Sequence, residues 1–349
     1  MQKHQTSTTD TVVIDGQMGE GGGQVLRSSL TLSLCSGRPA RIKSIRAGRR
    51  KPGLMRQHLA CLRAAATISN GTVSGDELGS QQLTFAPGKV EAGDYHFAVG
   101  SAGSAALVLQ TILLPLLLAD GPSTVRIEGG THNAWAPPVD FLQLSFLPQL
   151  QKMGAEVELR MERVGFFPAG GGILFAKIKP VTDPKPFTLL ERGVSGAHYA
   201  MIRRAHIPAN VADREWDAMR RVLFWESAQR RDIDHLESAG PGNSVHCILQ
   251  FENVTEVISS FGSRQRGAKQ VGREAGKLAC SYINGTAPVG MHLADQLLLP
   301  MLLLGGGEFI TEAPTKHTVT NIDVIHLYYP GRVACSEMSD GNYFVEVQK

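Results

Sequence analysis

The chain is poor in cysteine, nearly balanced in charge and free of long apolar runs, and each shortage excludes a class of protein. Five cysteines (Cys35, Cys61, Cys247, Cys280 and Cys335) are scattered through 349 residues without a CxxC pair. That argues against a cysteine metal site or a disulfide framework and points to a reduced, intracellular protein. A formal charge of +3 is too small to indicate nucleic acid by itself. The longest apolar runs reach about a dozen residues and contain Gln or Pro, too short to span a bilayer. Residues 1–10 are polar, lack a signal core and read as a loose tail, so the cytoplasm is the expected location, with the nucleus as the alternative. The standard nucleotide fingerprints are also incomplete. Around Gly262 to Gln270 a P-loop is spoiled by Ala268 between Gly267 and Lys269, and no Ser or Thr follows. At Gly19 to Gln24 the Rossmann pattern lacks its last glycine.

What is present is a repeat. Residues 109–118 reappear as 295–304, each an apolar helical stretch with a Gln near its start (Gln110, Gln296) and a Pro partway along (Pro115, Pro300). A strand and a polar loop follow each copy: 124–128 then 129–138, and 308–311 then 312–317. A weaker third copy lies upstream, at 24–34, 40–45 and 46–53. Repeated units pool their loops on one edge, where sites are built. Strand signals fall at 11–14, 41–45, 124–127, 156–159 and 172–178, and helical patterns at 24–34, 54–68, 105–118 and 139–153. Strands alternating with helices, with hairpins between units, predict an α/β (α+β) fold with mixed sheets.

The register locates an insertion. From Arg46 to Glu128 the step is 82 residues, but from Glu128 to Glu312 it is 184. The excess of about a hundred residues is domain-sized. Proline density at 180–186 marks its entry, and 284–288 its return. The expected organisation is a large three-repeat domain (11–184 and 285–349) interrupted by a smaller α/β domain (185–284). The insertion is expected to have strands at 187–190, 246–250 and 256–260 and helices at 211–228 and 267–283.

Three clusters carry chemistry. Gly19 to Gly23 form a flexible turn before a helix, where free N–H groups and the helix dipole favour an anion. Glu20 within that turn would hold Mg²⁺ against a polyphosphate; the alternative is a packing turn with a surface carboxylate. Arg41, Lys43, Arg46, Arg49, Arg50, Lys51, Arg56 and His58 crowd the next loop, with Gln57 opening the following helix. Composition alone favours a solvated basic face, whereas forked arginines beside Arg27 suit phosphate. Lys316, His317, Thr318, Thr320 and Asn321 form the third cluster, and imidazole can act as a nucleophile toward phosphorus. Asp295 and Gln296 open the preceding helix, placed to meet polar groups of a nucleotide.

Several motifs in order now resemble a known family. They are Ile14-Asp15-Gly16-Gln17-Met18-Gly19-Glu20-Gly21-Gly22-Gly23-Gln24, Arg46-Ala47-Gly48-Arg49 with Lys51-Pro52-Gly53-Leu54, Gly100-Ser101-Ala102-Gly103-Ser104, Pro168-Ala169-Gly170-Gly171-Gly172 and Leu293-Ala294-Asp295-Gln296-Leu297. Together they resemble the RNA 3′-terminal phosphate cyclases from about Val12 to the C-terminus. The resemblance implies three βαβαββ units plus an inserted domain, and ATP-dependent conversion of an RNA 3′-phosphate to a 2′,3′-cyclic phosphodiester through histidyl-AMP and RNA-pp-adenosine intermediates. By resemblance, His317 is the nucleophile and Glu20 the carboxylate for a divalent cation, Mg²⁺ or Mn²⁺. Arg27, Arg46, Arg49, Gln57 and His58 then bind RNA phosphate, and Gln110, Pro137, His292, Leu293, Ala294, Asp295 and Gln296 form the ATP/AMP pocket. His292 stands where some members have a Tyr stacked on adenine, offering a smaller π-face. ATP and RNA with a 3′-phosphate end are the implied partners; no membrane is. Two alternatives are a non-catalytic cyclase-like ribosome-biogenesis factor, against which the presence of His317 argues, and a small-molecule transferase of the enolpyruvyl type. The basic pairs Arg203-Arg204, Arg220-Arg221 and Arg230-Arg231 would either face RNA or be solvated helix faces.

Overall fold

A computed structural model describes residues 10–234 and 237–349, so apart from Asp10 the expected tail lies outside the described residues. The first unit runs β1 (Val12–Asp15), α1 (Gly23–Ser36), β2 (Ala40–Lys43), α2 (Arg56–Ser69), β3 (Thr72–Ser74) and β4 (Leu83–Ala86). Val12, Ile14, Ala40 and Ile42 alternate inward along β1 and β2, as the two-residue period of a half-buried strand requires. Helix α1 stops at Gly37, whose left-handed φ of +70° lets its N–H reach Ser33 O, the C-terminal closure that glycine favours.

The second unit repeats the order with β5 (Asp94–Ala98), α3 (Ala105–Leu117), β6 (Ser123–Gly129), α4 (Val139–Phe141), a π-helical turn at Leu142–Phe146, α5 (Leu147–Lys152), β7 (Glu156–Arg163) and β8 (Gly172–Lys179). The third opens with β9 (Phe187–Leu189) and is then interrupted by β10 (Ser195–Ala205), α6 (Ala209–Leu223), β11 (Arg230–Ile233), β12 (Gly242–Phe251), β13 (Thr255–Phe261) and α7 (Ala268–Asn284). It resumes with α8 (Met291–Leu304), β14 (Gly307–Thr311), α9 (Lys316–Tyr328), β15 (Val333–Glu337) and β16 (Tyr343–Val347). The three sheets share one topology, β1-β2-β4-β3, β5-β6-β8-β7 and β9-β14-β16-β15, the first pair parallel and the rest antiparallel.

One strand differs from expectation. The strand foreseen at 187–190 as part of the insertion pairs in parallel with β14, Phe187 opposite Gly307 and Leu189 opposite Phe309, so it belongs to the third unit. Expected helix 211–228 is also shorter, because Phe224 closes α6 at a left-handed φ of +56°.

The intervening segment forms a four-stranded sheet, β11-β10-β12-β13. Ala200 and Ile202 face a small core with Trp216, Met219, Val271 and Ala275 from α6 and α7. Tyr199 and Met201, pointing the other way, join the main core. The same alternation aims His246 of β12 at the second unit. There His132 Nε2 lies 2.7 Å and His246 Nε2 3.6 Å from Asp140 Oδ2, and Arg203 forks onto the same carboxylate at 2.7 to 3.1 Å. Burial alone raises the Asp140 carboxyl, but His246, His132 and Arg203 together hold it well below the usual range. Those two histidines and Asp140 have metal-ligand spacing. With Arg203 on the carboxylate and Ser244 and Ser259 on the two nitrogens of His246, the donors are already satisfied, and the cluster joins the segment to the second unit. Four other arginines of the basic pairs are also engaged: Arg204 with Asp234, Arg220 with Asp217 at the surface, Arg230 with Asp213 and Asp232, and Arg231 over the Tyr199 ring.

Among the described residues no helix is long and apolar enough to cross a membrane. Helices α3 and α8 are instead apolar nearly all round and buried at the centre, as all-round apolar helices must be.

Candidate active site

The glycine turn is shaped by contact with the third unit. Gly19 and Gly21 adopt left-handed φ of +59° and +58°, and a Cβ on Gly19 would stand 2.0 Å from Thr320 Oγ1. The turn is therefore pressed against the first turns of α9. Thr320 Oγ1 accepts the Glu20 N–H at 2.9 Å and donates to Lys316 O at 2.6 Å. Glu20 is thus tied to the helix that carries His317. Its Oε2 accepts from Arg49 Nη2 at 2.5 Å, and the same guanidinium nitrogen reaches Glu20 O at 2.7 Å. Glu20 Oε1 has only a long 3.4 Å bond from Gln24 N–H. A single carboxylate oxygen of this kind fits a Mg²⁺ ion that takes its other ligands from water and phosphate.

One cleft gathers polar side chains from all three units. Gln24, Arg27 and Ser28 come from α1, Gln110 from α3, Asp295 and Gln296 from α8, and Asn321 from α9. A continuous chain of bonds links them. Arg27 Nη2 donates to Gln24 Oε1 at 3.0 Å, Gln24 Nε2 to Ser28 Oγ at 3.3 Å, and Ser28 Oγ to Asn321 Oδ1 at 2.5 Å. Asn321 Nδ2 donates to Asp295 O at 2.8 Å, Gln296 Nε2 to Asp295 Oδ2 at 2.9 Å, and Gln110 Nε2 to Gln296 Oε1. The glutamines of the repeat thus meet at the centre. Burial lifts the Asp295 carboxyl to about 7, against the opposing bond from Gln296 and the charge of Arg27. Burial also lowers the pKa of Arg27. A desolvated guanidinium draws an anion more strongly than a hydrated one.

The phosphate-binding candidates adjoin this cleft. A Cβ on Gly23 would meet Arg27 Nη1 at 2.6 Å and His58 Nε2 at 2.7 Å, so both heads flank the helix start. His58 Nδ1 accepts the Met55 N–H at 3.0 Å, leaving Nε2 as the protonated donor of the neutral ring. Burial, then Arg27 and Arg46, push His58 down to about 3. Arg46, at a left-handed φ of +51°, turns its Nη1 onto the carbonyls of Lys51 and Gly53 at 2.7 and 2.8 Å, fixing the basic loop. Gln57 Oε1 accepts from Ser104 N–H at 3.0 Å and so bridges to the second unit.

His317 is exposed in the first turn of α9, where the Thr315 hydroxyl caps the helix by accepting from Thr318 N–H at 3.2 Å. His292 opens α8 and keeps exposed surface; crowding by protein, then the nearby His317, lower its pKa. Pro137 lies half-buried in the loop after β6. His317, His292 and Pro137 stand outside the polar cleft rather than lining it. Leu293 and Ala294, expected in the nucleotide pocket, turn their side chains into the core at 0 % and 1 % exposure, so their part is to set the helix register. Sequence reasoning missed Ser28 and Thr31 as cleft residues. Their signal was a polar stripe at helical spacing from Gln24 on an otherwise apolar helix.

The fold and site define a repeat-built α/β enzyme whose polar cleft draws side chains from all three units. The family model described as RNA 3′-terminal phosphate cyclase matches residues 18–333. Proteins named RNA 3′-terminal phosphate cyclase from Koribacter versatilis, Pseudomonas fluorescens and Salmonella enteritidis are 48 %, 46 % and 42 % identical. They cover 93 %, 95 % and 96 % of this chain and 92 %, 96 % and 98 % of their own lengths. The chain belongs to the RNA 3′-terminal phosphate cyclase family. Among solved structures, an enolpyruvyl transferase, NikO from Streptomyces tendae, is 17 % identical with a TM-score of 0.26 over 47 % of this chain and 32 % of its own, too weak a likeness to bear on fold or activity.

Proposed function

We propose that the protein converts the 3′-terminal phosphate of RNA to a 2′,3′-cyclic phosphodiester, with ATP going to AMP and pyrophosphate. The observation that carries this beyond family membership is the cleft that joins the half-buried cation Arg27 to Gln110, Asp295 and Gln296, with His58 beside Arg27. A desolvated cation suits phosphate, and amides with a carboxyl suit the polar edges of a nucleotide.

The imidazole of His317 attacks the α-phosphorus of ATP and expels pyrophosphate, forming a phosphoramidate. An oxygen of the RNA 3′-phosphate then attacks that phosphorus, frees the imidazole and leaves an RNA-pp-adenosine end. The neighbouring 2′-hydroxyl attacks the RNA phosphorus, loses its proton and expels AMP. Splitting the reaction turns a poor electrophile into one with a good leaving group, and the adjacent hydroxyl gains from proximity. Arg27, Arg46, Arg49, Gln57 and the Nε2–H of His58 hold the RNA phosphate. Gln110, Asp295 and Gln296 hold the nucleotide, and Pro137 and His292 flank its base, with Leu293 and Ala294 setting the backbone beneath. Glu20 would hold a divalent cation, Mg²⁺ or Mn²⁺, which would neutralise phosphate charge.

The test is incubation with α-labelled ATP and Mg²⁺ or Mn²⁺, then denaturing separation, for the natural chain and His317→Asn. Acid-labile label on the natural chain alone, discharged by 3′-phosphate RNA, is expected. No label with either metal would remove the first step and leave an RNA-binding role ahead.

A further inference from the structure

We propose that Trp135 and Phe167 form a base-stacking platform for the RNA nucleotides that precede the terminal phosphate, an inference that rests on the cyclase reading above. Both rings are on the surface, at 95 % and 75 % exposure. Isolated exposed apolar residues are ordinary; these two leave adjacent, rigidly held loops. Thr131 N–H and His132 N–H both donate to Gly165 O, at 2.9 and 3.2 Å, and His132 pairs with Phe166 in a parallel bridge. Trp135 lies three residues beyond that bridge and Phe167 one residue beyond it.

Both loops are also pinned to the same short stretch of the second unit. Asn133 Nδ2 donates to Ala102 O at 2.8 Å, and a Cβ on Gly170 would stand 2.8 Å from Ala102 Cα. The other side of that stretch meets the phosphate-binding helix: Arg56 Nη1 reaches Gly100 O at 3.3 Å, and Gln57 takes the Ser104 N–H. Exposed Arg56, held at Gly100, supplies positive charge beside it, and exposed Arg50 and Lys51 lie in the loop that leads into its helix. A basic track ending in surface aromatic faces is the composition that holds single-stranded nucleic acid without reading its sequence, since every base offers a π-face. That also suits a chain with no visible base-reading motif. Turning Trp135 outward exposes its apolar ring to water, and nothing in the loop's own bonding uses the ring.

The test uses the tryptophan itself. Trp216 and Trp225 are 5 % and 8 % exposed, so a base stacking at the surface quenches Trp135. Single-stranded RNA ending in a 3′-phosphate is titrated into the full chain without ATP, beside a dinucleotide with the same end. The longer RNA is expected to quench emission more than the dinucleotide. Trp135→Ala and Phe167→Ala, made separately, should each raise the KM for the longer RNA by about fivefold or more, the weak end of base–aromatic stacking, and shift the dinucleotide much less. Emission indifferent to RNA, unchanged KM values, or equal shifts for both RNAs would overturn the platform. Failure of the cyclase reading shows elsewhere, as missing label on the natural chain, and the quenching titration then still decides for or against stacking.

Discussion

Gly19 has no room for a side chain: its φ of +59° and the 2.0 Å approach to Thr320 Oγ1 exclude one together. An alanine there costs about 1–2 kcal/mol in backbone strain alone and pushes the Glu20 turn off α9. Gly19→Ala should therefore slow enzyme adenylation by about tenfold or more, measured as the initial rate of label uptake, while the rest of the fold keeps its circular dichroism. Two other residues make stability depend on pH. Burial lowers both His58 and His246 to about 3, against about 6.5 in the unfolded chain. At these two sites the unfolded chain binds the more protons between those values, so each histidine contributes a loss of about 1.4 kcal/mol per pH unit as pH falls from about 6.5 toward 3. The carboxyls of Asp295, Glu215 and Glu256, raised by burial, contribute in the opposite sense. The difference in urea midpoint between the natural chain and His58→Gln, followed across that window, should show one histidine's share of the slope. The glycines and the basic cluster were legible in the sequence because their types are chemically unusual there. The pairing of Arg203, Arg204, Arg220 and Arg230 with aspartates was not, because a basic pair reads the same whether its partner is RNA or an aspartate of the chain itself.

At the scale of the element, α3 shows how a helix tolerates a proline. Pro115 lacks an N–H, so the carbonyl four residues earlier, Thr111 O, loses its helical donor. The Thr31 hydroxyl of α1 lies 2.9 Å from that carbonyl and 3.1 Å from Arg27 O in its own helix, placed to satisfy the freed carbonyl and weld two helices that both supply cleft residues. Thr31→Val should cost about 1–3 kcal/mol for the unsatisfied buried carbonyl, read by chemical denaturation. Adding Pro115→Ala, which restores an N–H, should recover part of that loss. Prolines in apolar helices, and the repeated Gln upstream, were visible in the chain. The donor was not, since Thr31 and Thr111 meet only through tertiary packing. Likewise the stretch expected as one helix at 139–153 contains a π-helical turn at Leu142–Phe146, which no periodicity in the sequence announces.

Across the whole molecule, the buried group of His132, Asp140, Arg203 and His246 fastens the intervening segment to the second unit. Removing Asp140 leaves the Arg203 guanidinium and His132 Nε2 without their carboxylate in a largely buried site. Asp140→Ala should destabilise the protein by about 3–5 kcal/mol; Arg203→Met with Asp140→Leu together should cost less, the comparison being made by guanidinium unfolding. The unequal spacing of the repeats pointed to an insertion, because repeats set a ruler that an insertion stretches, and β10 to α7 run between β9 and α8. The same ruler put the strand foreseen at 187–190, β9, in the insertion rather than beside β14. A three-residue strand after a proline-dense connector carries no mark of a partner more than a hundred residues ahead, and register between distant strands is fixed by packing alone.

That interruption has a consequence for how the protein is made. During synthesis the first two units emerge with all their strands in hand, and domains generally fold as they emerge. The third unit waits: β9 is made early, yet β14, the strand it pairs with, follows only after the whole intervening segment. His317 emerges later still, in the helix after β14. A growing chain therefore carries Arg27, Arg46, Arg49 and His58, the proposed phosphate-binding residues, long before it carries the proposed nucleophile, and on that reading a nascent or arrested chain would grip an RNA end that it has no means to activate.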